Sequence, residues 1–121
     1  MKGDFELTTE REKLQGIVKE LMSNSLDADA TDVDVSVKIE KDKTVITVKD
    51  NGSGMNPEAA DQVRKVLHQE RRDEIENYYG ILAGNSMTAS GLNLVGMLVD
   101  DATVESRLGE GTSITVIRLN K

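Results

Sequence analysis

The chain has 121 residues, enough for one domain with one hydrophobic core but too few for two. Its 15 Lys and Arg residues stand against 22 Asp and Glu, a formal net charge of -7, which argues against direct binding to nucleic acid because surfaces that bind it are basic. The chain has no Cys, so disulfides and thiolate metal sites are excluded. No stretch resembles a signal peptide or reaches the roughly 18 apolar residues of a membrane span, so we expect a cytoplasmic protein.

The amino-terminal end allows two interpretations. Phe5 to Leu7 forms either a short edge strand or only an ordered arm, because three residues of alternating polarity carry little information. Thr8 or Thr9 can cap the helix that follows, with acidic residues in its first turn facing the positive end of the helix dipole. The helical pattern itself covers Leu14 to Ala28.

Three polar residues share one face of this helix. Glu20, Asn24 and Asp27 follow one another at helical spacing and therefore form one stripe. A carboxylate and an amide one turn apart can reach into one cleft, where the amide oxygen of Asn24 fills one place in the octahedral oxygen shell of Mg²⁺. We interpret the stripe as part of a site for a magnesium nucleotide, with Glu20 near the terminal phosphate. The stripe that faces the core consists of Leu14, Ile17, Val18, Leu21, Met22 and Ser25.

Two strands follow and end in an acidic, glycine-rich turn. Val33 to Ile39 alternates β-branched with polar residues, and Thr44 to Lys49 is a second β-branched run, so the two should form an antiparallel hairpin. The second strand delivers Asp50 to its end, and Gly52 and Gly54 permit positive φ and close approach of the backbone. Taken alone, these residues are typical of a plain tight turn. Together with the polar helix stripe, they indicate a nucleotide site.

A second helix should begin after Asn56, a favoured N-cap residue, with Pro57 in its first position. It should run to about His68, whose contact with the carboxyl end of the helix dipole is favourable. From Gln69 to Ser90 the pattern breaks down, and a loop this long is uncommon unless it is functional or disordered.

Two alternatives stay open inside this stretch. Arg71 and Arg72 either reach a bound phosphate or belong to a solvated charged face. Tyr78 and Tyr79 either close over a base or pack the loop itself.

The carboxyl-terminal part predicts a helix and a hairpin. Gly91 to Val99 is typical of a buried helix that opens on a glycine. Thr103 to Arg107 and Thr112 to Leu119 should then form an antiparallel pair around a glycine-containing turn.

Two of these stretches resemble the GHKL ATPases, a superfamily that includes gyrase, MutL-type mismatch repair proteins, sensor histidine kinases and anti-sigma kinases. Val18 to Met55, with VKELMSNSLDADAT and VKDNGSGM, is most similar to the MutL branch. Gly91 to Leu119, with GLNLVGMLVDDATVESRLGEGTSITVIRL, is more like the kinase and anti-sigma branch. The segment from His68 to Ala89 matches neither.

The resemblance implies a fold and a domain organisation. It predicts an α/β fold, a two-layer sandwich of the Bergerat type with a mixed, mainly antiparallel sheet covered on one face by about three helices. Residues 1–121 would form one ATP-binding domain, with a mobile ATP lid around residues 69–90. The cofactors implied are ATP and Mg²⁺.

Roles for individual residues also follow from the resemblance. It makes Glu20 the base that activates water, Asn24 the magnesium ligand, and Asp27 a support for the adenine or phosphate side of the pocket. Gly91 and Leu92 match the start of a helix whose amino end meets phosphates, a contact that free N–H groups and the helix dipole favour.

The glycine-rich turn supplies the base pocket in the same resemblance. Asp50 would accept a hydrogen bond from the adenine amino group, and Gly52 and Gly54 would line the base because a side chain there would occupy adenine's space. Met55, which closes the motif, is grouped with the nucleotide-binding residues. The chain departs from the kinase pattern Gly-x-Gly-Leu-Gly-Leu at residues 89–94, where it has Ala-Ser-Gly-Leu-Asn-Leu.

Three functions fit these residues. The first is magnesium-dependent ATP binding with slow hydrolysis in a histidine kinase-like ATPase domain. The second is the catalytic domain of an anti-sigma or sensor-type protein kinase, whose acceptor would be a separate protein. The third is a nucleotide-gated interaction module without catalysis. In each, the expected partners are ATP and either another protein or a second copy of the chain, with no direct contact to nucleic acid.

Overall fold

A computed structural model describes residues 9–71 and 91–120 of the protein. They form three helices and four strands, α1 Glu10–Asp27, β1 Val33–Ile39, β2 Lys43–Asp50, α2 Pro57–Leu67, α3 Gly91–Leu98, β3 Asp101–Arg107 and β4 Gly111–Leu119. The strand or arm predicted for residues 5–7 and most of the predicted lid, residues 72–90, lie outside the described residues.

The strands form one sheet in the order β1-β2-β4-β3. Every neighbouring pair among the described strands is antiparallel. All three helices pack on one face of the sheet, so the predicted two-layer α/β sandwich is confirmed. The β1–β2 hairpin and the β3–β4 hairpin, both predicted from the sequence, are confirmed as well.

The core lies between the helices and this face of the sheet. Alternate residues of β2 and β4, such as Ile46 and Val116, are fully buried while their neighbours in the chain are not, as the alternation of side chains along a strand requires. The helices contribute the facing layer, which includes Ile17, Leu21, Leu67, Leu94, Val95 and Leu98.

The helix starts are fixed by local hydrogen bonds. Thr9, not Thr8, caps α1, since its hydroxyl accepts from the Glu12 N–H while the Glu12 carboxylate accepts from the Thr9 N–H, a capping box. These bonds, the one from the Thr9 backbone first, lower the pKa of Glu12 below its ordinary value. Asn56 caps α2, with Pro57 in its first position, as predicted.

The two ends of the sheet differ in what surrounds them. Asp50 lies opposite Thr112 at one end, which we call the Asp50 end, and Lys43 lies opposite Leu119 at the other. Helix α1 begins near the other end and runs towards the Asp50 end. At its start, both carboxylate oxygens of Glu10 accept from the buried Arg118, at 2.9 Å each. The second half of α1 therefore approaches the acidic, glycine-rich turn.

Helix α2 covers the outer edge of β3. Arg64 donates from Nε and Nη2 to the carbonyl oxygen of Val104, at 3.2 and 2.8 Å. One turn later, a ring nitrogen of His68 lies 3.3 Å from the Asp101 carboxylate. Backbone acceptors on an edge strand otherwise offer a template for another strand, and Arg64 occupies one of them.

Candidate functional site

Asp50 is the most firmly held residue of the candidate site. It lies at the end of β2 and is only 7% exposed. Its Oδ1 accepts from the N–H groups of Gly52 and Thr112, at 2.8 and 3.2 Å, and its Oδ2 accepts from the Ser25 hydroxyl at 2.6 Å. Donors from α1, from the turn and from β4 thus converge on one carboxylate.

Gly52 and Gly54 allow the turn to pack against the rest of the chain. A Cβ on Gly52 would lie 2.8 Å from the carbonyl oxygen of Ala28, at the end of α1. Gly54 has a φ of +74°, and a Cβ there would overlap the carbonyl of Arg107. Protein atoms therefore account for both glycines, whereas their place along an adenine pocket stays a prediction.

A hydroxyl network joins the turn to the β3–β4 hairpin. The Met55 N–H donates to Ser106 Oγ at 2.8 Å, and Ser106 Oγ is 2.7 Å from Thr112 Oγ1. The Gly109 N–H adds a bond to the carbonyl of Ser53 at 2.7 Å. The side chain of Met55 packs against the core, so Met55 attaches the turn both to the core and, through its N–H, to the β3–β4 hairpin.

The polar stripe of α1 comes close to the start of α3. The side chain of Glu20 lies against the Cα of Gly91, so that a Cβ at position 91 would overlap the Glu20 carboxylate and stand 3.1 Å from its Cγ. Asn24 is half-buried and Asp27 is exposed. Within residues 9–71 and 91–120, none of the three polar side chains of the stripe makes a hydrogen bond.

The start of α3 places the positive end of a helix beside Glu20. The first N–H groups of a helix have no partner inside the helix, and together with the dipole they favour a negative charge. Glu20 beside Gly91 brings a carboxylate to that end. Leu92, one residue further, is half-buried and packs against the core, which holds the start of α3 in place.

A polar cavity of about 400 Å³ opens beside Asp50, along the β3–β4 hairpin. Arg64, Ser106 and Thr112 line it with Asp50. The residues of the α1 stripe and Gly91 do not line this cavity. The cavity therefore reaches Asp50 from the hairpin side and is separate from the contact between α1 and α3.

Arg71 differs from both of its sequence-based interpretations. Its guanidinium donates to the Asp100 carboxylate at 2.9 Å and to the carbonyl of Leu119 at 3.0 Å, and its side chain is 9% exposed. Leu119 lies at the end of the sheet away from Asp50, so Arg71 neither faces the candidate site nor belongs to a solvated face. Arg72, Tyr78 and Tyr79 lie outside the described residues.

His68 fulfils the prediction made for it. It is the C-cap residue of α2, and its Nδ1 lies 2.8 Å from the Arg64 carbonyl, one of the acceptors left open at a helix end.

Sequence reasoning missed the residues that hold Asp50 in place. Ser25 lies within the apolar stripe of α1, but a hydroxyl at a fully buried position needs a partner. That requirement was the available signal, and Asp50 is the partner. Thr112 and Ser106 gave no comparable signal, because serine and threonine are common in ordinary strands and turns.

Nothing in the described ranges has the length and apolar character of a helix that spans a membrane.

Residues 9–121 match the sequence model of a family described as "Histidine kinase-, DNA gyrase B-, and HSP90-like ATPase". The chain is also similar to DNA mismatch repair proteins MutL. The MutL of Aquifex aeolicus (strain VF5) is 48% identical over 60 residues, which is 50% of this chain and 13% of that protein. The MutL of Clostridium perfringens (strain 13 / Type A) is 32% identical over 76 residues, 63% of this chain and 11% of that protein. The chain thus spans only a small part of the length of these relatives.

Proposed function

Because the chain belongs to the histidine kinase-, DNA gyrase B- and HSP90-like ATPase family, whose members bind ATP, we propose that it binds ATP together with Mg²⁺ and hydrolyses it slowly. The observation that carries the proposal is the buried carboxylate of Asp50. The mismatch repair role named for the MutL relatives belongs to proteins of which this chain matches 13% or less, and it forms no part of the proposal.

Asp50 is suited to read an adenine. A carboxylate has about four lone-pair sites, and the donors of Ser25, Gly52 and Thr112 occupy three of them, two on Oδ1 and one on Oδ2. One acceptor site on Oδ2 remains for the amino group of adenine. Guanine carries a carbonyl at the corresponding ring position, and two acceptors facing each other would each lack a donor. The site should therefore prefer ATP to GTP.

The phosphates would extend from the base towards α1 and α3. Asn24 would give one oxygen to Mg²⁺, and phosphate oxygens and waters would fill the other places of the octahedral shell. The first N–H groups of α3, next to Gly91, would meet the phosphates. Glu20 would take the proton from the attacking water as a general base.

Slow turnover follows from the way Glu20 is held. A general base acts efficiently when hydrogen bonds and packing together fix its orientation. Within the part of the chain that the structure describes, the Glu20 carboxylate has a packing contact at Gly91 but no hydrogen bond.

Calorimetric titration with ATP and with GTP, each with and without magnesium, tests the proposal. Asp50→Asn should weaken ATP binding by tenfold or more, on the order of the cost of one unmet polar contact. The variant should still fold, because the Ser25 hydroxyl can turn and accept from the new amide while Oδ1 keeps its two donors. Asn24→Ala should remove the dependence on magnesium. Asp42→Asn, in the exposed β1–β2 turn, is the matched control.

The outcomes separate the alternatives. Wild-type ATP affinity in Asp50→Asn would reject the base site. Binding without phosphate release would favour the nucleotide-gated module, and transfer of labelled phosphate to a co-purified protein would favour the kinase.

A further inference from the structure

Strand β1 forms an open edge of the sheet. The carbonyl of Asp32 accepts from the Asn51 N–H, and the N–H of Glu40 donates to the Lys43 carbonyl, so even-numbered residues turn their backbone groups towards β2. Because this direction alternates along a strand, Val33, Val35, Val37 and Ile39 turn theirs outward. Within the described residues these outward groups have no partner. We call these four residues the β1 edge.

The side chains of the β1 edge are apolar, and all but that of Val33 are exposed. They lie on the face that carries the helices, where they oppose Asp50, Val48, Ile46 and Thr44 of β2. Val35 and Val37 are each 42% exposed and Ile39 is 71% exposed. A groove of about 570 Å³ separates Val37 and Ile39 from Val18 and Met22 of α1. A seven-residue apolar edge beside an apolar groove is a surface that pairs with another strand.

The sequence of β1 is complementary to itself. If two copies of β1 pair antiparallel about a two-fold axis at Ser36, Val35 lies opposite Val37 and Val33 lies opposite Ile39. On the other face of the sheet, Asp34 of each copy lies opposite Lys38 of the other. The hydrogen-bonded pairs are then formed by the outward residues, as an antiparallel ladder requires, and each opposite-charge pair occurs twice.

We propose that two copies of this chain associate through their β1 strands and form one continuous antiparallel sheet. The interface is isologous, with the same patch on both copies. The apolar residues of the β1 edge meet on the helix face, and the charges of Asp34 and Lys38 fix the register, since a shift by one residue would separate every charge pair.

The other possible occupant of this edge is the segment of eight residues before Thr9. Its Phe5 and Leu7 offer two apolar side chains to a strand of seven residues. A second copy matches the whole strand and both charges, and on that ground it is the occupant we favour.

Light scattering after size exclusion, over a range of concentrations, tests the proposal on the full chain. The wild type should be a dimer. Asp34→Lys and Lys38→Asp should each weaken the dimer by about tenfold or more, because like charges then face each other twice. An equimolar mixture of the two variants should form a heterodimer, and the double variant carrying both changes should dimerise again. Lys65→Asp, the same charge change on the exposed side of α2, should behave as wild type.

Folding and nucleotide binding are measured on every variant. Asp34 lies opposite Lys49 in the sheet, so a thermal melt must show that Asp34→Lys is folded. ATP affinity should be unchanged, because Asp34 and Lys38 point to the face away from Asp50, and this separates a failure of the dimer from a failure of the nucleotide site. A wild type that stays monomeric at all concentrations would overturn the proposal, and so would a mixture that forms no heterodimer.

Discussion

The candidate site has a proposed base half and a proposed phosphate half, and the two are built differently. The base half, Asp50 with Ser25, Gly52 and Thr112, carries three hydrogen bonds to a single carboxylate. The phosphate half, Glu20, Asn24, Asp27 and Gly91, has packing contacts but no side-chain hydrogen bond within the described residues. In the proposed function, recognition of the base is thus prepared by folding, whereas the catalytic arrangement would depend on the nucleotide and magnesium once they are bound.

Of the substitutions considered, Glu20→Ala should show the largest difference between phosphate release and ATP affinity. Glu20→Ala should lower the rate of phosphate release by a factor of about 10² to 10⁴, the usual contribution of a general base. ATP affinity should stay at the wild-type value, because the base half is untouched and the lost contact acts only in the transition state. Single-turnover phosphate release and calorimetry measure the two quantities.

Glu40→Ala, in the exposed turn after β1, serves as the control for that substitution. Phosphate release by Glu20→Ala at the wild-type rate would remove Glu20 from the mechanism.

Gly91 tests whether packing alone positions Glu20. Gly91→Ala should fold, since the overlapping atoms are the far end of a flexible side chain and alanine is a better helix residue than glycine. The displaced carboxylate should lower phosphate release by about tenfold, a part of what the loss of a general base costs.

The double variant, with Gly91→Ala and Glu20→Ala together, identifies the cause. If Gly91 acts by seating Glu20, the double variant releases phosphate no more slowly than Glu20→Ala alone. A further fall, or a loss of ATP affinity, would instead indicate that the added methyl group disturbs the phosphates.

Ser25→Ala tests how much the hydrogen bond from Ser25 contributes to orienting the Asp50 carboxylate. Ser25→Ala leaves Oδ2 of Asp50 without its donor in a buried position, so the carboxylate should become less well oriented. We expect a several-fold loss of ATP affinity and a lower melting temperature, since such a buried polar loss costs roughly 1 to 3 kcal/mol. Ser23→Ala, two residues earlier on α1, is the matched control. Equal ATP affinities for the two variants would show that Ser25 serves the fold alone.

The sequence predicted the elements but not the contacts between them. The helical spacing of Glu20 and Asn24 and the alternation in β1 and β2 are local patterns, and local patterns can be read along the chain. The position of Asp50 at a strand end followed in the same way. The start of α1 was less clear, because Thr8 and Thr9 are equally good caps until the bond to Glu12 is seen.

The contacts that could not be predicted join distant parts of the chain. Thr112 reaches Asp50 only because β4 pairs with β2 across 62 residues. The sequence likewise did not show why position 52 must be glycine, since the carbonyl of Ala28 that a side chain would meet belongs to another part of the chain. The contacts of Arg71 could not be predicted for the same reason, because its partner Asp100 lies 29 residues away in the sequence. Composition gives no account of such pairings.

Arg64 affects how many edges of the sheet can pair with another strand. Its guanidinium holds the Val104 carbonyl, and α2 lies along β3, so only the β1 side of the four described strands can accept another strand. A unit with one such side stops growing once two copies have joined, whereas a unit with two would extend into an open polymer. The stoichiometry of the assembly is therefore set by a residue on the side of the molecule opposite its interface.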